Sequence, residues 1–199
     1  MCRPGDGCFP SIEHKGDVQM HVVSSASGDA VSSVALLYTV AIAAARREVI
    51  IQNPYFAPPD GYCDLLKMVV DRGVAIHLMV PGHNTDNPLV RRAGCALYDR
   101  VLDAGVRLYE YEPTLLHQKV VIVDGVWSHV GSTNFDARSL ALNEEVGVGF
   151  CSRELAADLR RAFDRDLKHC QEITRDVWSR RPLMDRLIDR AAYRLHDQL

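Results

Sequence analysis

The sequence has no surplus of positive charge. Its 199 residues carry 23 Lys and Arg against 26 Asp and Glu, a formal net charge of -3. With a pI near 6.2, no global field exists to hold a polyanion, which disfavours general nucleic-acid binding. Cys-x-x-Cys pairs are missing too. Cys2, Cys8, Cys63, Cys95, Cys151 and Cys170 are scattered, and a chain of this length needs no disulfide staples, so the setting reads as reducing. Cys2, Cys8 and His14 match no structural zinc spacing, and no carboxylate cluster is spaced for Mg²⁺. Long apolar runs are absent. Ala30 to Ala45 contains Ser32, Ser33 and Thr39 and falls short of the roughly 18 residues that span a bilayer, so it reads as a buried helix. Met1 to Lys15 lacks the apolar centre of a signal peptide and reads as a loose leader.

With 47% of its residues hydrophobic, the chain suits one domain that buries roughly 70% of its unfolded surface. Strand and helix signals alternate: a strand at 18–23, a helix at 29–46, a strand at 48–52 ended by Asn53-Pro54, and a helix at 62–72 stopped by Gly73. A strand at 74–80 follows, closed by Pro81-Gly82, then a helix at 89–104 ended by Gly105 and a strand at 106–111. Adjacent strands come next. This order predicts an α/β fold, a mixed sheet with helices on both faces.

The rest is organised around residues 117–145, HQKVVIVDGVWSHVGSTNFDARSLALNEE. The strand Val120 to Val123 lies between His117-x-Lys119 and an Asp124-Gly125 turn. A second run ends at Gly131-Ser132-Thr133-Asn134, and Asn143-Glu144-Glu145 opens a third strand. Residues two apart on a strand share a face, so His117 and Lys119 point the same way. An imidazole, an ammonium, a hydroxyl and an amide on one face suit a phosphate, and the imidazole adds a nucleophile or proton carrier. His77, His83 and His129 lack such partners. His83, in a loop after a strand, is the best placed of the three.

His117-x-Lys119-x4-Asp124-x6-Gly131-Ser132-x-Asn134 resembles the HKD motif of the phospholipase D superfamily. Arg138-Ser139-Leu140, Asn143-x-Glu145 and Asn53-Pro54-Tyr55-Phe56 narrow the resemblance to the second half of bacterial cardiolipin synthases. The resemblance implies a phospholipase D-like three-layer α/β/α sandwich over 16–172, with 1–15 as leader and 173–199 as a C-terminal amphipathic helical tail. It implies a phosphohistidine intermediate with no metal or other cofactor. His117, Lys119, Asp124 and Glu145 form the expected catalytic set, with Glu145 orienting the histidine and Asp124 shaping the turn or orienting a group across the site. Ser132 and Asn134 are the expected phosphate ligands. Tyr55 and Phe56 line the cleft or, equally, cap the core, and His83 is a further cleft residue.

The superfamily's site uses two such motifs, whereas this sequence contains one. The second is expected from a homodimer mate or an N-terminal HKD half. The expected substrates are a phosphatidylglycerol-like phospholipid and an alcohol acceptor, at the cytoplasmic face of a membrane. The alternatives are a dimeric nuclease of the same superfamily, or an inactive half that binds lipid or a partner chain. Residues 153–199 hold eleven Lys/Arg against nine Asp/Glu, while 1–152 hold twelve against seventeen. Beyond Pro182, Met184, Leu187, Ile188, Ala191, Ala192 and Leu195 recur at helical spacing beside Arg186, Arg190 and Arg194. That pattern suits an anionic membrane interface, or equally a helix docked on its own domain or a dimer partner.

Overall fold

A computed structural model describes residues 13, 15–26, 32–59 and 61–195. In chain order the elements are β1 (Met20–Ser25), α1 (Ser33–Ala44), β2 (Glu48–Gln52), β3 (Phe56–Ala57), α2 (Tyr62–Asp71), β4 (Ala75–Pro81), α3 (Pro88–Cys95), α4 (Tyr98–Asp103) and β5 (Arg107–Tyr111). They continue as β6 (Val120–Val123), β7 (Trp127–Gly131), β8 (Phe135–Asp136), α5 (Ala137–Ala141), β9 (Glu145–Cys151), α6 (Arg153–Leu167), β10 (Cys170–Ile173), α7 (Arg175–Ser179) and α8 (Leu183–Tyr193).

Eight strands form one mixed sheet in the order β1-β9-β7-β6-β2-β4-β5-β10. Only β2-β4 and β4-β5 pair in parallel. These central strands are the near-continuous apolar runs, as burial on both faces requires. Alternation then sorts the core into two layers. Val49, Ile51, Ile76, Leu78 and Leu108 pack with α1, α2 and α4, while Ile50, Met79, Tyr109 and Ile122 pack under Ala156 and Phe163 of α6. The α/β/α sandwich is thus observed.

Local chemistry sets the boundaries. Ser32 accepts the Ala35 N–H to start α1, and Asn87 accepts that of Val90 ahead of Pro88 to start α3. Gly73, at φ +88°, ends α2. The single helix predicted over 89–104 is two, broken at Ala96-Leu97. Gly94 lies so close to the Phe56 carbonyl that a Cβ would stand 2.8 Å from its oxygen, which fixes where α3 crosses β3.

The first strand begins at Met20 rather than Val18. Cys2, Cys8, His14 and the leader, apart from residues 13 and 15, lie outside the described residues, as does the predicted helix start at 29–31. Residues 170–173 add the edge strand β10, antiparallel to β5. Residues 175–195 pack back on the body, with Trp178 buried against Tyr98 and α8 lying on α3. Among the described residues no helix is long and apolar enough to cross a membrane.

Candidate active site

Antiparallel pairing of β6, β7 and β9 brings the three polar clusters to one end of the sheet. His117 ends the loop after β5. Lys119, buried just ahead of β6, donates to the His117 carbonyl at 2.9 Å, and its Nζ stands 3.0 Å from Nδ1 and 3.2 Å from Nε2 of the imidazole. Burial presses the Lys119 ammonium below its ordinary value, against the pull of Asp86, Glu145 and Asp136.

The carboxylate that approaches the imidazole is Asp86, whose Oδ2 is 3.9 Å from Nε2. Asp86 lies in the loop after β4 and is also close enough to the Tyr55 hydroxyl to perturb it. Burial, then the neighbouring Asp86 carboxylate, push that hydroxyl up to about 12. Glu145, the acid expected to orient His117, instead accepts a short hydrogen bond from the Ser132 hydroxyl. Ser132 is engaged on a second side, where its Oγ accepts the Val146 N–H at 3.1 Å. It clasps β7 to β9.

Asn134 behaves differently. One terminal atom of its amide is buried without a partner, and the residue lines a cavity of about 170 Å³ with Tyr55, Ala57, Asp136, Arg138 and Asn143. Turned over, that amide presents its NH₂ to an anionic oxygen. Asp136 caps α5 through the Ser139 N–H at 2.7 Å, and burial raises its carboxyl above the usual range.

Asn53 holds the roof of this cavity. Its Nδ2 donates to the Thr133 carbonyl at 3.2 Å, and its Oδ1 accepts from Phe135 at 3.0 Å and from Tyr55 at 3.2 Å. The two-residue pairing of β3 with β8 continues that staple.

Three expected residues stand elsewhere. Asp124 is at the opposite end of β6, about 16 Å along the strand from Lys119 at ~3.3 Å per residue. There it accepts the N–H groups of Arg46, Arg47 and Glu48 at 3.0, 2.7 and 3.0 Å. It sits at φ +55° and clamps the turn to the start of β2, the turn-shaping role of its two expected ones. Phe56 is buried against Phe135, with ring centroids 5.8 Å apart, and belongs to the core. His83 is exposed, pairs with Glu112 at 3.4 Å, and borders a separate cavity with Arg91, Trp178 and Arg181. An apolar strand core and a Gly in the turn place Asp124 equally well in either role on paper.

Asp86 and Arg138 were not singled out as site residues. The only signal for Asp86 was its loop, 82–87, which follows a strand ending at the cleft.

Residues 38–167 match the family described as "Cardiolipin synthase, PLD-like domain". Cardiolipin synthase 1 of Staphylococcus epidermidis is 34% identical over 176 residues, 88% of this chain, and the chain spans 36% of that relative's length. The phospholipase D family member Nuc of Salmonella typhimurium aligns at TM-score 0.66 and 20% identity, over 79% of this chain and 99% of that one. The phosphatidylserine synthase of Haemophilus influenzae aligns at TM-score 0.68 and 13% identity, over 94% of this chain and 47% of that one.

Proposed function

Because the chain belongs to the phospholipase D-like domain family of the cardiolipin synthases, we propose that this site moves the phosphatidyl group of a phosphatidylglycerol-like phospholipid to an alcohol or to water. The observation that carries the reading is the contact between Lys119 and His117, which sets a nucleophilic side chain beside an ammonium that suits a phosphate oxygen.

In the first step a ring nitrogen of His117 attacks phosphorus. The P–N bond forms and the P–O bond to the leaving alcohol breaks. Lys119, Asn134 and Arg138 hold the non-bridging oxygens as charge builds on them, and Asp86 supports the imidazole as it becomes cationic. A second imidazole, on the far side of phosphorus, gives the departing oxygen its proton. In the second step that imidazole takes a proton from the acceptor hydroxyl, whose oxygen displaces His117 from phosphorus.

One histidine cannot serve both sides of an in-line displacement. Charge argues the same way. Asp86, Glu145 and Asp136 outnumber Lys119 and Arg138 here, so a phosphodiester anion needs further cations. Both come from a second HKD set, supplied by a two-fold mate or by the remainder of a longer chain, the reading that the 36% coverage supports. Four free thiols among the described residues favour the cytoplasmic face.

The test is trapping of phosphohistidine on a short-chain phosphatidylglycerol, with the solution mass measured in parallel. Label on wild type and none on His117→Asn is expected. Label that survives His117→Asn ends the proposal. A dimer that labels places the second set in the mate, and a monomer that labels only beside an added N-terminal half places it there. Cleavage of single-stranded DNA without lipid turnover moves the site to a nuclease.

A further inference from the structure

Met184, Leu187, Ile188, Ala191 and Leu195 recur at i, i+3, i+4, i+7 and i+11, the stripe by which a surface helix normally packs on its core. Here α8 is mounted the other way round. Leu183, Met184 and Leu187 are 75%, 66% and 58% exposed, and Ile188 and Leu195 are exposed as well. What faces inward is charge. Asp189, 1% exposed, is held by Arg181 at 2.6 Å and Arg92 at 3.1 Å, and Arg92 also holds Asp185 at 3.1 Å. Arg181 lies over the buried Trp178 ring at 3.0 Å. Among the described residues, Ala192 is the part of α8 buried in an apolar cluster, with Ala57 and Ala93.

A cost attaches to this arrangement. Burying paired charges while exposing leucines stabilises the free protein less than the reverse mounting. The arrangement makes sense when something apolar covers the stripe.

We infer that α8 is a docking helix for an anionic phospholipid bilayer, its stripe lying in the interface. Charge selects this occupant. Asp189 is buried and Asp185, partly exposed, is paired with Arg92, whereas Arg186, Arg190 and Arg194 form an i, i+4 row along one flank of the stripe, with Arg180 just before it. The unneutralised outward charge of the helix is therefore positive, as an acidic headgroup layer requires. An antiparallel two-fold pairing of α8 with itself brings each arginine row against its own counterpart, like charge on like.

Placement adds to the argument, and this part rests on the function proposed above. Ala57 and Ala93, which seat Ala192, also line the cavity beside Asn134. A bilayer on α8 is thus about one helix diameter, ~10 Å, from the cavity that would receive a lipid headgroup.

The experiment is flotation of the purified chain with vesicles of phosphatidylglycerol and phosphatidylcholine in equal parts, and with phosphatidylcholine alone. Wild type is expected to float with the anionic vesicles and to release as salt rises. Leu187→Asp with Ile188→Asp should weaken partition roughly tenfold or more, and Arg190→Glu with Arg194→Glu about fivefold per charge removed. All four positions are exposed, so melting temperatures should match wild type. The arginine pair and the lipid series decide the matter if the aspartate pair misfolds.

Wild type that stays unbound, or equal partition of wild type and variants, overturns the inference. So does lipid-free self-association that Leu187→Asp abolishes, since a second copy then covers the stripe. Phosphohistidine labelling with short-chain lipid below its micelle concentration separates the two readings. A protein that floats but never labels, alone or beside an added N-terminal half, sinks only the chemistry, and one that labels but never floats sinks only the docking.

Discussion

Asp124 gives the sharpest test, because a motif residue is being assigned to the scaffold. Its carboxylate accepts three backbone N–H groups at the start of β2 and sits at φ +55°. Hydrogen bonds to a charged group are worth ~1.5–3 kcal/mol each when dry. This site is partly open to solvent, so about 1 kcal/mol each is the better figure. Removing all three, with roughly 1 kcal/mol more for a left-handed alanine, costs Asp124→Ala about 4 kcal/mol. At ~2–4 °C per kcal/mol for a chain of this size, Tm should fall by about 8–16 °C. Asp124→Asn keeps an acceptor oxygen and tolerates positive φ, so its loss should be roughly half as large.

The pH dependence has a defined sign. Burial pushes the Asp124 carboxyl up, but the N–H groups of Glu48, Arg47 and Arg46 and the Arg47 charge outweigh it, and the folded value lies below the ordinary one. The stabilisation is therefore whole above about pH 4, the unfolded value, and is lost as pH falls through the lower folded value. The gap in Tm between wild type and Asp124→Asn should shrink there. Calorimetry reads the stability, and phosphohistidine labelling of the folded variants reads the chemistry. An Asp124→Asn protein that melts like wild type yet labels a hundredfold more slowly would refute the assignment.

His117→Asn should abolish labelling, and Lys119→Met should slow it by about 10²–10³, as loss of one oxyanion donor does, with both melting near wild type. Asp86→Asn should slow labelling roughly tenfold or more, whereas Glu145→Gln should lower Tm, because Glu145 holds Ser132. His129 is fully buried beside Tyr38 at 3.1 Å, and burial, aided by the His21 charge, lowers its pKa to about 4. Stability should thus be full above about pH 6.5 and fall by roughly 2–3 kcal/mol as pH drops to about 4, a limb that His129→Leu removes. Gly147→Ala sets a methyl into the His129 ring and should cost about 1–3 kcal/mol in denaturant melts.

The sheet was legible because its signals are local. Val49-Ile50-Ile51 and Val120 to Val123 are apolar runs closed by turn residues, and the strands predicted with stated bounds lie within two residues of their places, while the short β3, β8 and β10 carry no such signal. The pairing of His117 with Lys119 was legible for the same reason, since alternation alone puts them on one face. Contacts far apart in sequence were not. Nothing near Asp86 shows that its loop reaches His117, and nothing near Asn53 shows that it bonds residues 133 and 135. The outward turn of α8 was hidden too: periodicity finds a stripe but not which way it faces, and Asp189 decides that by meeting Arg92 and Arg181.

The Asn53 staple also has a bearing on the order of folding. The β6–β7 hairpin that carries Lys119 closes across a three-residue turn, whereas the bonds from Asn53 to Thr133 and Phe135 close a loop of about 80 residues. Loop closure of that length is entropically costly, and short-range contacts form before long-range ones. The lysine's strand is thus an early structure and the cavity roof a late one. The same staple should be the first to open in native-state hydrogen exchange, with the Tyr55 and Phe135 amides exchanging ahead of those in β6 while the sheet beneath stays closed.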